Sequence, residues 1–252
     1  MDTKRSRVFQ EDNNLSGGRY AWYKRYGNYV PPIYSFLTDD EWMIMEKWYE
    51  DTEKAKLIGE SNVPFMSLLQ GFIMGNSLTN IVQLGHYAGY SALLIGFMLR
   101  KMGKKHSFVS IDIDKSVSNY TQSWIKRAGL QDYVSIITGN SSDQSIARSA
   151  TKSLNDVIQA IIIDSSHQYA QTLSELDLWY PLVQDKGFIF MHDVSEFATR
   201  LDSTNKGGVK NALQDWIVGK PEIRLISIDQ ECSNTEPAYK DPCGIGIIQK
   251  VS

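Results

Sequence analysis

Cysteine is scarce in this sequence, since its 252 residues include only two, Cys232 and Cys243. Two cysteines are too few for the disulfide framework that holds many small secreted domains together. A single bridge between them would fit their number, but we expect two unpaired thiols, as in a cytosolic protein. The fold must therefore depend on a hydrophobic core, and a chain of this length is able to bury one.

Long apolar runs are missing as well. The run ALLIGFML at residues 92–99 is far shorter than the ~20 residues that a membrane-spanning helix requires. The basic first residues, MDTKRSR, are not followed by the apolar segment of a secretory signal. We therefore expect a cytoplasmic protein with no membrane partner.

The sequence has no surplus of positive charge. Its formal net charge is -3 and its pI is about 5.8. A protein that binds nucleic acid needs a basic face to neutralise phosphates, so we expect no nucleic-acid partner. With 42% hydrophobic and 22% charged residues, the rest of the composition is that of an ordinary globular protein.

The first third of the chain has a helical pattern, after a polar segment and an aromatic stretch with a Pro-Pro pair. Thr38 followed by Glu41 indicates a capping box at the start of a helix. We predict that residues 1–78 form an N-terminal arm and helical cap and that residues 79–252 form a second domain. The aromatic arm would either cover an active site or pack as an arm or a subunit interface.

From Asn80 onward, apolar runs of strand length alternate with helical segments five times. This alternation is typical of a parallel sheet that is covered by helices on both faces. The two last strands have no helix between them, which indicates a hairpin. We predict an α/β fold with a Rossmann-like, doubly wound sheet of seven strands, mostly parallel with an antiparallel last strand, plus the N-terminal helical cap.

The G-x-G-x-x-G motif of dinucleotide sites is absent, but two glycines four residues apart follow the first strand, in IVQLGHYAGYSALL. Gly85 allows a sharp turn, and Gly89 allows the backbone to approach a ligand closely. The wider spacing suits a ligand that lacks a pyrophosphate. A plain turn between strand and helix would explain the same pattern. His86 and Tyr87, inside the loop, would line the ligand or only pack the loop.

Polar residues also follow the second and third strands. Asp112 ends the second strand, where a carboxylate can accept hydrogen bonds from the hydroxyls of a ribose. Asn140 and Ser141, in TGNSSD, follow the third strand and would frame the edge of an adenine. Taken singly, these residues would merely cap a helix or form a polar turn. Because ligands bind at the carboxyl ends of parallel strands, the three loops together predict a site for a nucleoside-bearing cofactor.

Carboxylates and histidines follow the fourth and fifth strands. Asp164 and His167 lie in IIIDSSHQY, and His192 and Asp193 lie in FIFMHDV. Neighbouring strand ends would bring the two aspartates together, and such carboxylates repel each other unless a cation or a proton lies between them. Mg²⁺ suits this site, because it takes few carboxylates and retains waters. Helix caps and a hydrogen-bonded loop histidine would be the purely structural explanation.

The order of these motifs resembles that of class I S-adenosylmethionine-dependent methyltransferases over residues 80–251. The segment from Asp164 to Asp193 is similar to the metal-dependent branch that includes macrolide-sugar O-methyltransferases and cephalosporin-biosynthesis proteins, and more distantly to catechol O-methyltransferases. The resemblance implies S-adenosylmethionine as the cofactor, bound by Gln83, Gly85, Tyr87, Gly89, Ser91, Asp112, Asn140, Ser141 and Asp164. It implies Mg²⁺ bound by Asp164, His192 and Asp193, and it implies Asp164 and His167 as catalytic residues, with His167 as the base.

The sequence departs from the family pattern at two of these positions. Gln83 stands where the family usually has an acid, so it offers no charge to the ammonium group of the cofactor. His192 stands where the catechol enzymes have a carboxylate. The unperturbed pKa of a histidine, ~6.5, would allow His167 to accept a hydroxyl proton at neutral pH.

The resulting expectation is an O-methyltransferase that acts on the hydroxyl of a small molecule, a sugar or another natural product, and that forms a homo-oligomer. Two alternatives stay open. Gln83 would allow a non-catalytic S-adenosylmethionine-binding partner subunit. His167 and His192 beside one aspartate would allow a non-heme Fe(II) oxygenase.

Overall fold

The computed structural model describes residues 30–229 and 241–251, and the chain divides into two compact units between Gly59 and Glu60. The first unit contains α1 (Pro32–Ser35) and α2 (Asp39–Ala55). The predicted capping box is confirmed, since the Thr38 side chain accepts from the backbone N–H of Glu41 and the Glu41 carboxylate accepts from the backbone N–H of Thr38. The predicted aromatic arm lies mostly in residues 19–29, outside the described residues.

The second unit contains α3 (Val63–Asn76) together with the sheet. The sequence analysis assigned this helix to the N-terminal cap, whereas its contacts group it with the sheet. Phe72 on α3 packs edge-on against Phe188 and Phe190 of the fifth strand, with ring centroids 5.3 and 5.0 Å apart. The predicted domain boundary between residues 78 and 79 stays a prediction.

The sheet has seven strands in the described part of the chain. They are β1 (Ile81–Leu84), β2 (Phe108–Asp112), β3 (Val134–Thr138), β4 (Ile158–Ile163), β5 (Val183–His192), β6 (Ile223–Ile228) and β7 (Ile245–Lys250). Their order in the sheet is β3-β2-β1-β4-β5-β7-β6. Strands β1 to β5 pair in parallel, and β7 is antiparallel to both of its neighbours, β5 and β6. This arrangement confirms the predicted sheet and its antiparallel last strand.

Helices connect the parallel strands and bury their apolar faces on the sheet. The central strands are buried on both faces: all four residues of β1 are buried, as are five of the six residues of β4. A strand buried on both faces needs covering layers on both sides, which explains the alternation in the sequence. The connecting helices are α4 (Tyr90–Lys101), α5 (Lys115–Arg127), α6 (Gln144–Ser153), α7 (Tyr169–Trp179) and α8 (Gly208–Trp216).

The order of the strands places a topological switch between β1 and β4. The chain winds from β1 outward to β2 and β3, then returns to β4 on the other side of β1. In open α/β sheets, a crevice opens at the carboxyl ends of the strands at such a point. The loops that the sequence analysis singled out all follow strands at this edge.

Two further predictions concern cysteines and membranes. Cys243 is a free thiol, half-buried, whereas Cys232 lies outside the described residues. Among the helices at residues 30–229 and 241–251, none combines the length and apolar character that crossing a membrane would require.

Gly85 provides a test of the strand-to-helix turn. Its φ of +88° is left-handed, and a Cβ at this position would lie 2.0 Å from the backbone oxygen of Asp164. Because both the backbone conformation and the space exclude a side chain, we expect Gly85→Ala to lower the free energy of unfolding by at least ~2 kcal/mol. The measurement is urea unfolding followed by circular dichroism.

The matched control is Gly75→Ala, near the end of α3, where a Cβ would meet no atom within 4 Å. Alanine in a helix is expected to be neutral or to stabilise by up to ~1 kcal/mol. Equal unfolding midpoints for the two variants would contradict the assigned role of Gly85.

Candidate functional site

The carboxyl edge of the sheet brings together five loops, one after each of β1 to β5. The parallel register places Leu84, Ile111 and Ile163 side by side in adjacent strands, so the residues that follow them emerge at the same edge. The site residues that the sequence predicted all lie within or next to these loops.

The glycine loop after β1 is bonded directly to the acid after β2. One oxygen of Asp112, Oδ2, accepts hydrogen bonds from the backbone N–H groups of His86 and Tyr87, at 3.1 and 2.9 Å. The other oxygen, Oδ1, accepts from the backbone N–H of Asp114 at 3.0 Å. A carboxylate offers about four acceptor positions, so these three bonds leave room for a hydroxyl of a ligand. Asp112 thus holds the loop in shape and still has an acceptor position to offer.

Gln83 lies beneath this loop and is almost fully buried. Its amide nitrogen donates to the carbonyl of Gly85 at 2.9 Å and to the hydroxyl of Ser91 at 2.5 Å. Its amide oxygen accepts from Ser110 Oγ at 3.1 Å. Gln83 and Ser91 are therefore hydrogen-bonded to each other. Their predicted contacts with a cofactor stay predictions.

The imidazole of His86 completes this buried network. It points into the protein, with Nδ1 3.2 Å from Ser110 Oγ and Nε2 3.2 Å from Ser118 Oγ. Burial disfavours the imidazolium and outweighs the attraction of Asp112, so the pKa of His86 is lowered to about 4. His86 is thus neutral and packs the loop, whereas Tyr87 is 38% exposed and has a left-handed backbone.

The loop after β3 is tied to α7 by a buried carboxylate that the sequence analysis missed. Ser141 donates a very short hydrogen bond to Glu175 Oε1, and Gln171 Nε2 donates to the same oxygen at 3.1 Å. The second oxygen, Oε2, accepts from Ser165 Oγ at 2.8 Å, in the loop after β4. Burial raises the pKa of Glu175. Glu175 thereby links the predicted adenine loop, which includes Asn140, to the loop that carries Asp164.

A signal for Glu175 was present in the sequence. The buried face of α7 includes Thr172, Leu176 and Trp179, and Glu175 falls within this stripe at helical spacing. A glutamate on the apolar face of a helix is rarely buried without hydrogen-bond partners, which should have marked it for attention.

The four residues predicted after β4 and β5 form one cluster. His167 Nδ1 lies 2.7 Å from Asp193 Oδ2. His192 Nδ1 lies 3.4 Å from Asp164 Oδ1 and 3.4 Å from Asp193 Oδ2. The other oxygen of Asp164 accepts from Ser61 Oγ at 2.6 Å. The structure therefore brings together both aspartates and both histidines, as the strand order predicted.

The electrostatics of this cluster follow from two neighbouring carboxylates, of which Asp193 is buried and Asp164 is partly exposed. Burial opposes the charge on His192, but Asp193 and Asp164 outweigh it and raise the pKa of His192 well above its usual value. The pKa of His167 is likewise raised, because the Asp193 carboxylate outweighs burial. Burial of Asp193 is in turn outweighed by the two histidines, so the pKa of Asp193 is lowered.

The donor set fits a divalent cation. Asp193 Oδ2 and His167 Nδ1 are buried atoms without a well-formed hydrogen bond, although they face each other. Ligand atoms of Asp164, His167 and Asp193 lie within 4.8 Å of one another, and so do those of His192, Asp193 and Cys243. His167 and Asp193 have left-handed backbones, with φ of 59° and 63°. Strained residues of this kind are frequent where a site must aim its side chains.

Asp241 is the second residue that the sequence analysis missed at this site. It precedes β7 and is fully buried, with Oδ2 3.0 Å from His192 Nε2. No local pattern marks it, because it lies 49 residues after His192 and its partners come from distant segments. Phe65 on α3 packs over the His192 ring, with centroids 4.7 Å apart.

Residues 82–194 match a protein-family model described as a methyltransferase domain. A search of curated proteins finds no match to this sequence. The matched residues extend from β1 to just beyond β5. They include the loops after β1 to β4 and the first two residues after β5, but not Ser61 or Asp241.

Solved methyltransferase structures share the fold. An O-methyltransferase from Bacillus cereus, in complex with SAH, superposes with a TM-score of 0.64 at 17% identity, over 86% of this chain and 93% of that one. The O-methyltransferase TomG from Streptomyces achromogenes, involved in tomaymycin synthesis and in complex with SAM, has a TM-score of 0.63 at 15% identity, over 86% and 92%. A SAH-bound methyltransferase from Podospora anserina, PaMTH1, has a TM-score of 0.60 at 19% identity, over 86% and 89%.

The buried His86 gives a testable pH dependence. Its pKa is about 4 in the folded protein and near 6.5 in the unfolded chain, so acidification between these values protonates only the unfolded chain. The contribution of His86 to the free energy of unfolding should therefore fall by roughly 2 kcal/mol as the pH is lowered from 6.5 toward 4.

The measurement is urea unfolding of the wild type and of His86→Gln at pH 7 and pH 4.5. The variant is needed because the raised pKa values of His167 and His192 act with the opposite sign: their stabilisation is complete below pH 6.5 and declines as the pH rises through their folded pKa values. We expect the wild type to lose more stability than the variant on acidification. An identical loss in both proteins would show that His86 is not held neutral.

Proposed function

We propose that this chain, whose residues 82–194 match the model of a methyltransferase domain, is a class I S-adenosylmethionine-dependent methyltransferase. It would transfer the methyl group of S-adenosylmethionine to a hydroxyl of a small molecule. One observation supports the proposal above all. The Asp112 cradle beneath the glycine loop and the cluster of Asp164, His167, His192 and Asp193 open at the same edge of the sheet. A cofactor at the first would lie beside an acceptor at the second.

The residues predicted to bind the cofactor come from three loops, and each loop would bind a different part of it. The loop that Gly85 and Gly89 shape would bind the methionine part; their missing side chains let it pack against Asp164 and Thr121. Asp112 would accept hydrogen bonds from the ribose hydroxyls. Asn140 and Ser141 would border the adenine, in a loop that Glu175 holds in place. When bound, S-adenosylmethionine supplies a methyl group on a positively charged sulfur, which is open to attack by oxygen.

We propose that Asp164, His192 and Asp193 hold a divalent cation, Mg²⁺. The two carboxylates provide the oxygen ligands that this ion prefers. A bound divalent cation would lower the pKa of an acceptor hydroxyl. It would also neutralise the repulsion between the two aspartates. In the protein alone, the two neighbouring histidines offset this repulsion.

His167 is the proposed base. Its Nδ1 faces Asp193 Oδ2 at 2.7 Å, so a proton held there leaves the lone pair of Nε2 to accept the proton of the acceptor hydroxyl. The protein otherwise contributes alignment of the attacking oxygen with the methyl group, which can account for roughly 7–11 kcal/mol of barrier lowering.

The acceptor class is part of the proposal. TomG, which shares the fold, is described as involved in tomaymycin synthesis, and this supports a natural-product hydroxyl as the acceptor here. The cytoplasmic location and the homo-oligomer are proposals with no further support from the structure, as is the absence of nucleic-acid and membrane partners.

The two alternatives are less well supported. His167 and His192 do face the same carboxylate, as an Fe(II) oxygenase would need. The Asp112 cradle and the match to a methyltransferase domain have no role in such an enzyme. A non-catalytic subunit would need no base beside the second aspartate, whereas His167 is placed there.

Cofactor binding can be tested at Asp112. Asp112→Ala removes the acceptor of two loop N–H groups and of the proposed ribose hydroxyls, so we expect the affinity for S-adenosylhomocysteine to fall at least ~10-fold. Isothermal titration calorimetry measures it. The control is Asp132→Ala, an exposed aspartate that pairs with Lys105, for which we expect unchanged affinity. Failure of the unsubstituted protein to bind either S-adenosylmethionine or S-adenosylhomocysteine would refute the proposed function.

Metal dependence can be tested at the two ends of one strand. Asp193→Ala removes a proposed ligand just after β5, and Asp185→Ala removes an exposed carboxylate near its start. With an acceptor found by screening sugars and natural products, we expect Asp193→Ala and EDTA treatment each to reduce kcat/KM at least ~10-fold. Asp185→Ala should match the wild type. Full turnover after both treatments would remove the cation from the mechanism and leave the methyltransferase assignment in place.

A further inference from the structure

Asp241 is a fully buried carboxylate whose position is set from three sides. Its Oδ1 accepts from Asn62 Nδ2 at 2.8 Å and from the backbone N–H of Cys243 at 3.0 Å. Its Oδ2 lies 3.0 Å from His192 Nε2. A buried carboxylate is tolerated only when it is hydrogen-bonded or paired, and these three donors meet that condition. Asp241 lies outside the residues of the methyltransferase domain match, 82–194.

This contact determines which nitrogen of His192 carries the proton. An ionised carboxylate only accepts hydrogen bonds, so Nε2 must be the protonated nitrogen. In a neutral imidazole the other nitrogen, Nδ1, then presents a lone pair. Nδ1 lies 3.4 Å from Asp164 Oδ1 and 3.4 Å from Asp193 Oδ2, so its lone pair would face the two carboxylates proposed to hold the cation.

The ring of His192 is also fixed in orientation. Phe65 packs over it at a centroid distance of 4.7 Å with a tilt of 38°, and the ring is only 6% exposed. Any rotation of the ring would break the bond to Asp241 and leave Asp241 Oδ2 without its partner. A metal-ligating histidine usually donates its second N–H to a carboxylate, a carbonyl or water, and Asp241 is placed to be that acceptor.

We propose that Asp241 is a positioning residue that selects the tautomer of His192 and thereby makes its Nδ1 a ligand of the divalent cation. This inference deepens the proposed function and rests on the cation site described there. It assigns a role to a segment at the entrance to β7, far along the chain from the loops that supply the other ligands.

Because Asp241 Oδ1 accepts from two donors, the substitution Asp241→Asn can test which nitrogen of His192 carries the proton. In Asp241→Asn, Asn62 and the Cys243 N–H would retain the amide oxygen on their side, because both donate. The amide nitrogen would then face His192 Nε2 and donate to it, which forces the proton onto Nδ1. Asp241→Asn, whose side chain has nearly the same shape, should therefore hold His192 in the tautomer that is protonated on Nδ1. Asp241→Ala should favour neither tautomer of His192.

The experiment compares Mn²⁺ binding by the full-length wild type, Asp241→Asn, Asp241→Ala and the control Asp177→Asn, using electron paramagnetic resonance. Mn²⁺ is used because carboxylate oxygens suit it as they suit Mg²⁺. Asp177 accepts a hydrogen bond from the indole of Trp216, and its variant controls for the loss of a carboxylate acceptor. We expect Asp241→Asn to weaken Mn²⁺ binding ~10- to 100-fold, at least as much as Asp241→Ala. Asp177→Asn should match the wild type, and S-adenosylhomocysteine affinity should change less than twofold in all variants.

A purely structural role for Asp241 predicts the reverse order, with asparagine milder than alanine, and that result would overturn the inference. Absence of Mn²⁺ binding by the wild type would overturn it together with the proposed cation site, while S-adenosylhomocysteine binding would still support the methyltransferase assignment.

If neither variant folds, nitrogen-15 spectra of the imidazoles in the Mg²⁺-loaded wild type decide, since the chain has only four histidines. His192 protonated on Nε2 alone supports the inference, and a proton on Nδ1, with or without one on Nε2, refutes it.

Discussion

The enforced proximity of two carboxylates, Asp193 buried and Asp164 partly exposed, is the constraint on which the site depends. Ile163 of β4 pairs with Met191 of β5, so Asp164 and His192 directly follow paired residues and Asp193 comes one position later. Like charges in such a place need a compensating positive charge. The two histidines favour their charged forms here, because the carboxylates raise their pKa values. They would act as ligand and base when a metal ion supplies the positive charge.

The cofactor side and the metal side of the site are joined through the backbone. Gly85 turns with a left-handed φ directly against the carbonyl of Asp164, so tightly that a Cβ there would overlap it. Asp112 holds the same loop from the other side through the N–H groups of His86 and Tyr87. A shift of the glycine loop would therefore displace both the proposed cofactor and the residue that follows β4, which explains how one short turn can serve both halves of a transfer reaction.

Buried polar groups hold the loops where strands alone would not. Glu175 bonds to serines of the loops after β3 and β4, and His86 connects the loop after β1 to β2 and α5. Fully bonded networks of this kind stabilise one arrangement against others, because a displaced loop would leave a buried carboxylate or imidazole without partners. Asp241 has the same relation to His192 at the entrance to β7.

The sheet and the edge that carries the candidate site could be predicted from the sequence. Alternating strands and helices predict parallel strands, and parallel strands place their carboxyl ends at one edge, so Gly85, Asp112, Asp164 and Asp193 could be assigned to it from their positions alone. The tertiary structure was needed to show that Gln83 bonds within the protein and that Ser61, Glu175 and Asp241 contact the candidate site. Ser61 and Asp241 lie 103 and 49 residues from the partners that they contact. Such contacts depend on how distant segments pack, and no local periodicity encodes them.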